Sequence, residues 1–377
     1  MTTTSFQYVT TNLYQSGSTP NPIIAELPFT NVNFTQQLNS IGTFQGSVLL
    51  SGINSANLNA YDGTIPGKTI LWVLWNGVPV WSGVIWHRDY DSESQILSIT
   101  AQEMMSLYQR RRIATTKNYT TVPKDPCYIA RDLMQYSEAR THGKTGMTYD
   151  STLYGSTVSR TYNGYEYKSV YQAIKDLAQN YFDFTIYPDA PIAHSGQLVN
   201  KFSMGVPLGR IYSATDSSAL VFSLPGNIVK YTFPEDGLAA ANTLYGLGYG
   251  ANNSKIVSTY IDSSKIGSGG DWPLLEDVVN YMDINNSTLL SQVTLGTGNA
   301  ISYPPTTVQV VLPTYADPMY SVYQIGDEAR VYIKDDYFPS GLNLIMRIVA
   351  IDVSPGENGP DRVTITLTRQ LAAGSVS

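Results

Sequence analysis

The chain has 377 residues, of which 42% are hydrophobic and 14% charged, with a formal net charge of −7. That length leaves room for several domains and a large core, and the acidic balance speaks against a general affinity for nucleic-acid backbones. The single cysteine, Cys127, excludes an intrachain disulfide and any cysteine-ligated zinc or cluster site.

The first residues, Met1-Thr2-Thr3-Thr4, have no basic n-region and no apolar h-region, so no signal peptide is expected. No apolar stretch is long enough to span a bilayer, and synthesis in a cytoplasm without stable membrane insertion is the expectation. Residues 1–25 read as a short strand near Phe6 to Val9 followed by a loose arm. Phe29 to Phe34 and Gly46 to Leu50 read as strands joined through Gly42.

The strongest pattern follows. Ile70 to Trp75 is an apolar run ending at Asn76-Gly77, a pair that favours the positive φ of a type I′ hairpin turn. Val78 to Trp86 return, Asp89 to Glu93 turn the chain, and Gln95 to Thr100 add a third strand. Both strands of the hairpin are apolar on both faces. One face can fill a barrel or sandwich interior, and the other must be covered by a second domain or another subunit. Trp72, Trp75, Trp81 and Trp86 all lie on it and are the candidate interface residues, divided between barrel core and neighbour contacts.

Gln102 to Arg112 reads as a helix with Met104, Met105, Leu107 and Tyr108 inward. The cations Arg110-Arg111-Arg112 then complement its carbonyl end. Asp125-Pro126 caps a second helix, and a third runs from about Lys168 to Tyr181 into a strand at Phe182 to Ile186. Thr141 to Tyr162 and Ala190 to Tyr212 read as irregular. Ile228 to Phe233, Asn242 to Gly248 and Lys255 to Ile261 read as strands. Asp271-Trp272-Pro273 opens a predicted helix through Met282, and Asn286 caps another that frays at Gly296 and Gly298. Val308 to Leu312 is a further strand, and Leu371 to Ser377 a small-residue tail.

Gly326 to Thr366 echoes the opening hairpin: strand, turn, strand, turn, strand. Gly67 matches Gly326, Val73 matches Val331, Ile85 matches Ile348 and Asp89 matches Asp352. One chain then carries two copies of one small β fold.

Catalytic patterns are missing. His87, His142 and His194 have no metal spacing, and Gly-x-Ser-x-Gly and His-Glu-x-x-His are absent. Gly246, Gly248 and Gly250 lack the helix and Lys-Ser/Thr of a phosphate loop. Asp89, Asp91 and Glu93, like Glu357 to Asp361, read as solvated turns rather than a glycosidase pair or calcium loop. No catalytic residue, metal ligand or cofactor is assigned.

The run Gly67 to Gly77 with Val80-Trp81-Ser82-Gly83-Val84-Ile85-Trp86 resembles minor tail proteins of long-tailed actinobacteriophages, with Ser82 in place of one glycine. Thr100 to Glu103 with Arg110 to Ile113, Asn242 to Gly248, Trp272 to Glu276 and Met346-Arg347-Ile348 with Asp352 resemble that family in the same order. The resemblance is to a tail or baseplate hub. It implies a mainly β chain in which two tail-tube-like β-barrels, at 1–113 and 306–377, flank mixed α/β middle domains at 114–220 and 221–305. It further implies a homotrimer at the distal end of a virion tail. There the trimer would join the six-fold tube to the three-fold tip and take part in host attachment and DNA passage. The implied partners are a distal tail or tail-tube ring, a central tip or fibre protein, the tape-measure protein and a host surface glycan. A receptor- or glycan-binding tip protein is the alternative, and a cell-wall hydrolase using Asp89 and Asp91 ranks last.

Overall fold

Two apolar faces on one hairpin need two cores, and the fold supplies both. The computed structural model describes residues 6–17, 19–51, 59–189, 198–212, 219–282, 284–302, 307–356 and 361–369. Met1 to Thr4, His194, residues 357–360 of the last turn and the tail at 371–377 lie outside them.

The first unit holds β1 (Phe6–Asn12), β2 (Ile23–Glu26), β3 (Thr30–Gln37), β4 (Thr43–Leu49), a helical turn α1 (Ala60–Gly63), β5 (Thr69–Trp75), β6 (Val78–Asp91), β7 (Ile96–Glu103) and α2 (Met105–Arg110). Asn76 (φ 51°) and Gly77 (φ 80°) form the expected turn between β5 and β6. The helix after β7 is shorter than its sequence pattern suggests, because pairing of β7 with β4 and β6 holds the chain extended through Glu103.

The middle segment contributes β8 (Lys117–Asn118), α3 (Pro126–Glu138), β9 (Thr148–Tyr149), β10 (Thr161–Tyr162), α4 (Val170–Tyr181), β11 (Asp183–Asp189) and β12 (Val199–Gly205). Asp125 caps α3 by accepting from the Cys127 and Tyr128 amides, and Ser169 caps α4 through the Gln172 amide. The region read as irregular from Ala190 to Tyr212 contains β12. Its residues have little pattern of their own and are ordered by pairing with β11 and β9.

Next come β13 (Leu220–Leu224), β14 (Lys230–Thr232), β15 (Thr243–Leu247), β16 (Val257–Ile261), α5 (Ser263–Ile266), β17 (Glu276–Asn280) and α6 (Ser287–Ile301). The helix expected after Trp272-Pro273 is instead β17, which runs parallel to β15. Its Val278-Val279 pair is β-branched, and the open edge of β15 decides the outcome. The glycines of α6 do not fray it. At Gly298 a Cβ would stand 2.1 Å from the Tyr260 ring, so the residue permits close packing of helix on sheet.

The chain closes with β18 (Thr307–Pro313), β19 (Glu328–Ile333), β20 (Leu342–Ser354) and β21 (Arg362–Arg369). Residues 220–232 belong with these strands and not with the segment that follows them: β13 pairs with β19, and β14 with β18. Thus 233–302 is an insertion between the two strands β14 and β18.

The first and last units share one 13-stranded sheet, ordered β14-β18-β21-β20-β3-β4-β7-β6-β5-β1-β2, with β19 on β20 and β13 on β19. The fold is therefore mainly β with helical additions. Among the described residues no pairing closes either unit into a separate barrel.

The hairpin divides its side chains cleanly. Leu71, Val73, Trp75, Trp81 and Ile85 enter the core between the sheet units. Ile70, Trp72 and Val84 face the other way, onto α2, α3 and α4. The second apolar face is thus covered by a domain of the same chain.

Candidate assembly interface

The two units match in register as well as in order. Val73 faces Trp81 across β5–β6, and Val331 faces Leu344 across β19–β20. A bulge falls between Ile85 and His87 in β6, and another between Ile348 and Ala350 in β20. Gln45 pairs with Thr100, and Gln309 with Thr366. The pairs found from sequence, Val73 with Val331, Ile85 with Ile348 and Asp89 with Asp352, are structurally equivalent under this alignment. The first unit differs by an added strand: β1 lies between β5 and β2, whereas β13 pairs with β19 directly.

One seam joins the units. The outer half of β20 pairs antiparallel with β3: Ala350 with Gln37, Ile351 with Gln36, Asp352 with Thr35 and Val353 with Phe34. Asn33 donates to the Asp352 carboxylate at 2.8 Å and to the Ser354 hydroxyl at 3.0 Å. Burial raises the Asp352 pKa above the usual aspartate range, while these donors pull it back.

Equivalent edges exist elsewhere. Among the described residues the outer half of β6, His87 to Asp91, pairs with β7 on one side and with no strand on the other. The β14 edge away from β18 ends the sheet path. Carrying the β20–β3 register over sets His87, Arg88, Asp89 and Tyr90 opposite Asp236, Glu235, Pro234 and Phe233, the residues that directly follow β14. Opposite charges, Arg88 and Glu235, face each other across one of those pairs. In one chain six strands of the sheet order lie between these edges. Unpaired edges of this kind are templates for strand addition.

The four tryptophans do not form a surface. Trp72 is buried and donates to the Thr11 hydroxyl at 2.9 Å. Trp81 is fully buried and donates to the Thr35 carbonyl at 3.0 Å. Trp75 is buried edge-on to Tyr320, with ring centroids 6.0 Å apart. Trp86 is half-buried, and its indole N–H donates to the Ser106 hydroxyl at 2.7 Å. Sequence reasoning marks the hairpin but not the strand edges, because an edge is visible only once pairing is known.

The acidic cluster behaves as a turn. The Asp91 carboxylate accepts from the Glu93 and Ser94 amides and the Ser94 hydroxyl, which lowers its pKa. Asp89 and Glu93 are exposed beside it. Cys127 is buried in the first turn of α3, and desolvation pushes its thiol up to about 12, the opposite of an activated nucleophile. Among the described residues no group of three His, Cys, Asp or Glu side chains is placed to hold a metal. Among the same residues no helix is long and apolar enough to cross a membrane.

No protein-family model matches the sequence, and no curated protein matches it. Solved structures do. The fold is similar to the 43 kDa tail protein of prophage MuSo2 from Shewanella oneidensis, with a TM-score of 0.61 and 11% identity over 96% of this chain and 98% of that one. It is similar to the tail protein from Neisseria meningitidis MC58, at 0.59 and 12% over 98% of each. It also matches prophage tail protein gp18 from Listeria monocytogenes EGD-e, at 0.56 and 15% over 97% and 95%. Across nearly its whole length, the chain has a fold that these tail proteins share.

Proposed function

We propose that the chain is a structural, non-enzymatic protein of a phage-type tail, a tip or baseplate hub that assembles as a homotrimer. One observation carries the reading: two units with matching strand order and register are joined through one seam, and among the described residues the matching edges of that seam pair with no strand. Head-to-tail pairing of the β6 edge with the β14 edge of the next copy repeats the internal β20–β3 seam, so each contact is heterologous, and a rotation of one third of a turn between copies closes three of them into a ring. Three copies then present six similar units, which suits contact with a six-fold tail tube. The fold shared with tail proteins supports the same reading. In this reading the insertions at 114–212 and 233–302 are the parts that meet a central tip or fibre protein, the tape-measure protein or the host surface. The location is the distal end of a virion tail, and an actinobacteriophage source follows from the sequence resemblance alone.

Light scattering over a concentration series tests the assembly. A species of three times the chain mass is expected. Arg88→Glu should weaken it and Arg88→Glu with Glu235→Arg should restore it. A strictly monomeric chain inside purified tails contradicts the proposal.

A further inference from the structure

Basic side chains from several segments gather around one surface cleft. A cavity of about 550 Å³ opens between the end of β1, the start of β5, α2 and the loop at 142–145. Tyr14, Lys68, Arg111, His142 and Lys144 line it. A second cavity of about 290 Å³ shares Arg111 and His142 and adds Arg140. Among the described residues no carboxylate lines either of them.

One of these cations is already compensated. Arg111 lies 2.7 Å from Glu138, whose oxygens also accept from the Tyr108 hydroxyl and the Thr145 amide. The others meet neutral acceptors. Lys144 Nζ donates to the Gly17 carbonyl at 2.6 Å, and Arg140 Nη1 to the Arg112 carbonyl at 3.1 Å. Lys68 is exposed at the mouth. A concave site of one sign focuses its field and concentrates anions.

Cations beside helix C-termini also serve the helix dipole, and Arg110 to Arg112 fit that simpler account. Lys68 does not, because it precedes a strand. Nor does the aromatic rim: the Tyr14 and His142 rings stand 4.8 Å apart at 43°, with Tyr14 exposed. The volume suits a small organic ligand better than a bare ion.

We propose that this cleft binds a phosphorylated sugar, with Lys68, Arg140 and Lys144 holding the phosphate and the Tyr14–His142 pair stacking on the apolar face of the sugar ring. The site is separate from the strand edges used for assembly and is testable on the full chain whatever its oligomeric state. Calorimetric titration at low salt with glucose 1-phosphate, glucose and inorganic phosphate tests it. Glucose 1-phosphate should bind saturably, about tenfold tighter than inorganic phosphate, and glucose should not bind. Lys68→Glu and Arg140→Gln should each weaken binding about tenfold, while Lys334→Glu, the same charge change on a distant exposed residue, should alter it less than about twofold. Melting temperatures confirm that each variant is folded. Absence of saturable binding, equal affinity for inorganic phosphate, or an equal loss in Lys334→Glu overturns the proposal.

Discussion

The Arg347 guanidinium lies 2.7 Å from the Asp183 carboxylate, both largely buried, and so ties the last sheet unit to the middle segment. Asn39, on the turn between β3 and β4, joins the same group. Its amide nitrogen donates to Asp183 at 2.7 Å, and its carbonyl oxygen accepts from the Phe184 amide at 2.7 Å. Arg347 also donates to the carbonyls of Gly326 and Leu208. All three parts of the chain meet here. Removing one partner strands the other in a dry site, so Arg347→Ala should cost about 3–5 kcal/mol in urea unfolding. The Arg347→Met with Asp183→Leu double variant should recover part of that loss. A cost under about 1 kcal/mol would mean the junction is solvated.

Glu103 is buried at the end of β7 and accepts from the Gly42 amide. Burial raises its carboxyl from the ordinary 4.5 to about 8, against the lowering effect of the Gly42 and Gln37 amides. Between those values the folded chain keeps a proton that the unfolded chain releases. The contribution is therefore complete below about pH 4.5 and is lost as pH rises through about 8. Glu103→Gln should flatten the fall in melting temperature from pH 5 to pH 8.5 and melt above the parent at pH 8.5. An unchanged pH profile would show that Glu103 is ionised throughout.

Much of this architecture is legible from local chemistry. Asn76-Gly77, Asp125-Pro126 and Asn286 each fix a turn or cap with atoms only a few residues away, and each is found where the sequence puts it. What escapes notice depends on distant partners. The strand β2 is ordered by β1 at the sheet end, β13 by β19 more than a hundred residues on, and β17 by the edge of β15. The apolar pairs Leu274-Leu275 and Val278-Val279, split by Glu276-Asp277, fit helix and strand alike until that edge is present. The cationic cleft escapes for the same reason, since Lys68, Arg111, Arg140 and Lys144 come from separate segments.

The indoles should separate by burial. Trp81→Ala empties a fully buried site and should cost about 3–5 kcal/mol, measured by urea unfolding. Trp86→Ala, at a half-buried site, should cost less than half as much. Equal losses would mean that Trp86 is buried more deeply than its exposure indicates.

Gly298→Val should loosen the 233–302 insertion, because its side chain meets the Tyr260 ring. Hydrogen exchange should rise across β15, β16 and α6 by an amount equivalent to about 2 kcal/mol or more, while β19 to β21 stay protected. Uniform loosening of the chain would show that the insertion is not an independent cooperative unit.

The pairing of β6 with β14 between copies is the centre of the account, and a disulfide reads it directly. Cys127 is buried and is the chain's single cysteine, so cysteines placed at Arg88 and Glu235 report only on each other. Arg88→Cys with Glu235→Cys, oxidised mildly and run under denaturing, non-reducing conditions, should yield covalent dimers and closed trimers, and neither single variant should give a trimer. Failure of the double variant to cross-link, at concentrations where the parent chain is trimeric, would contradict it.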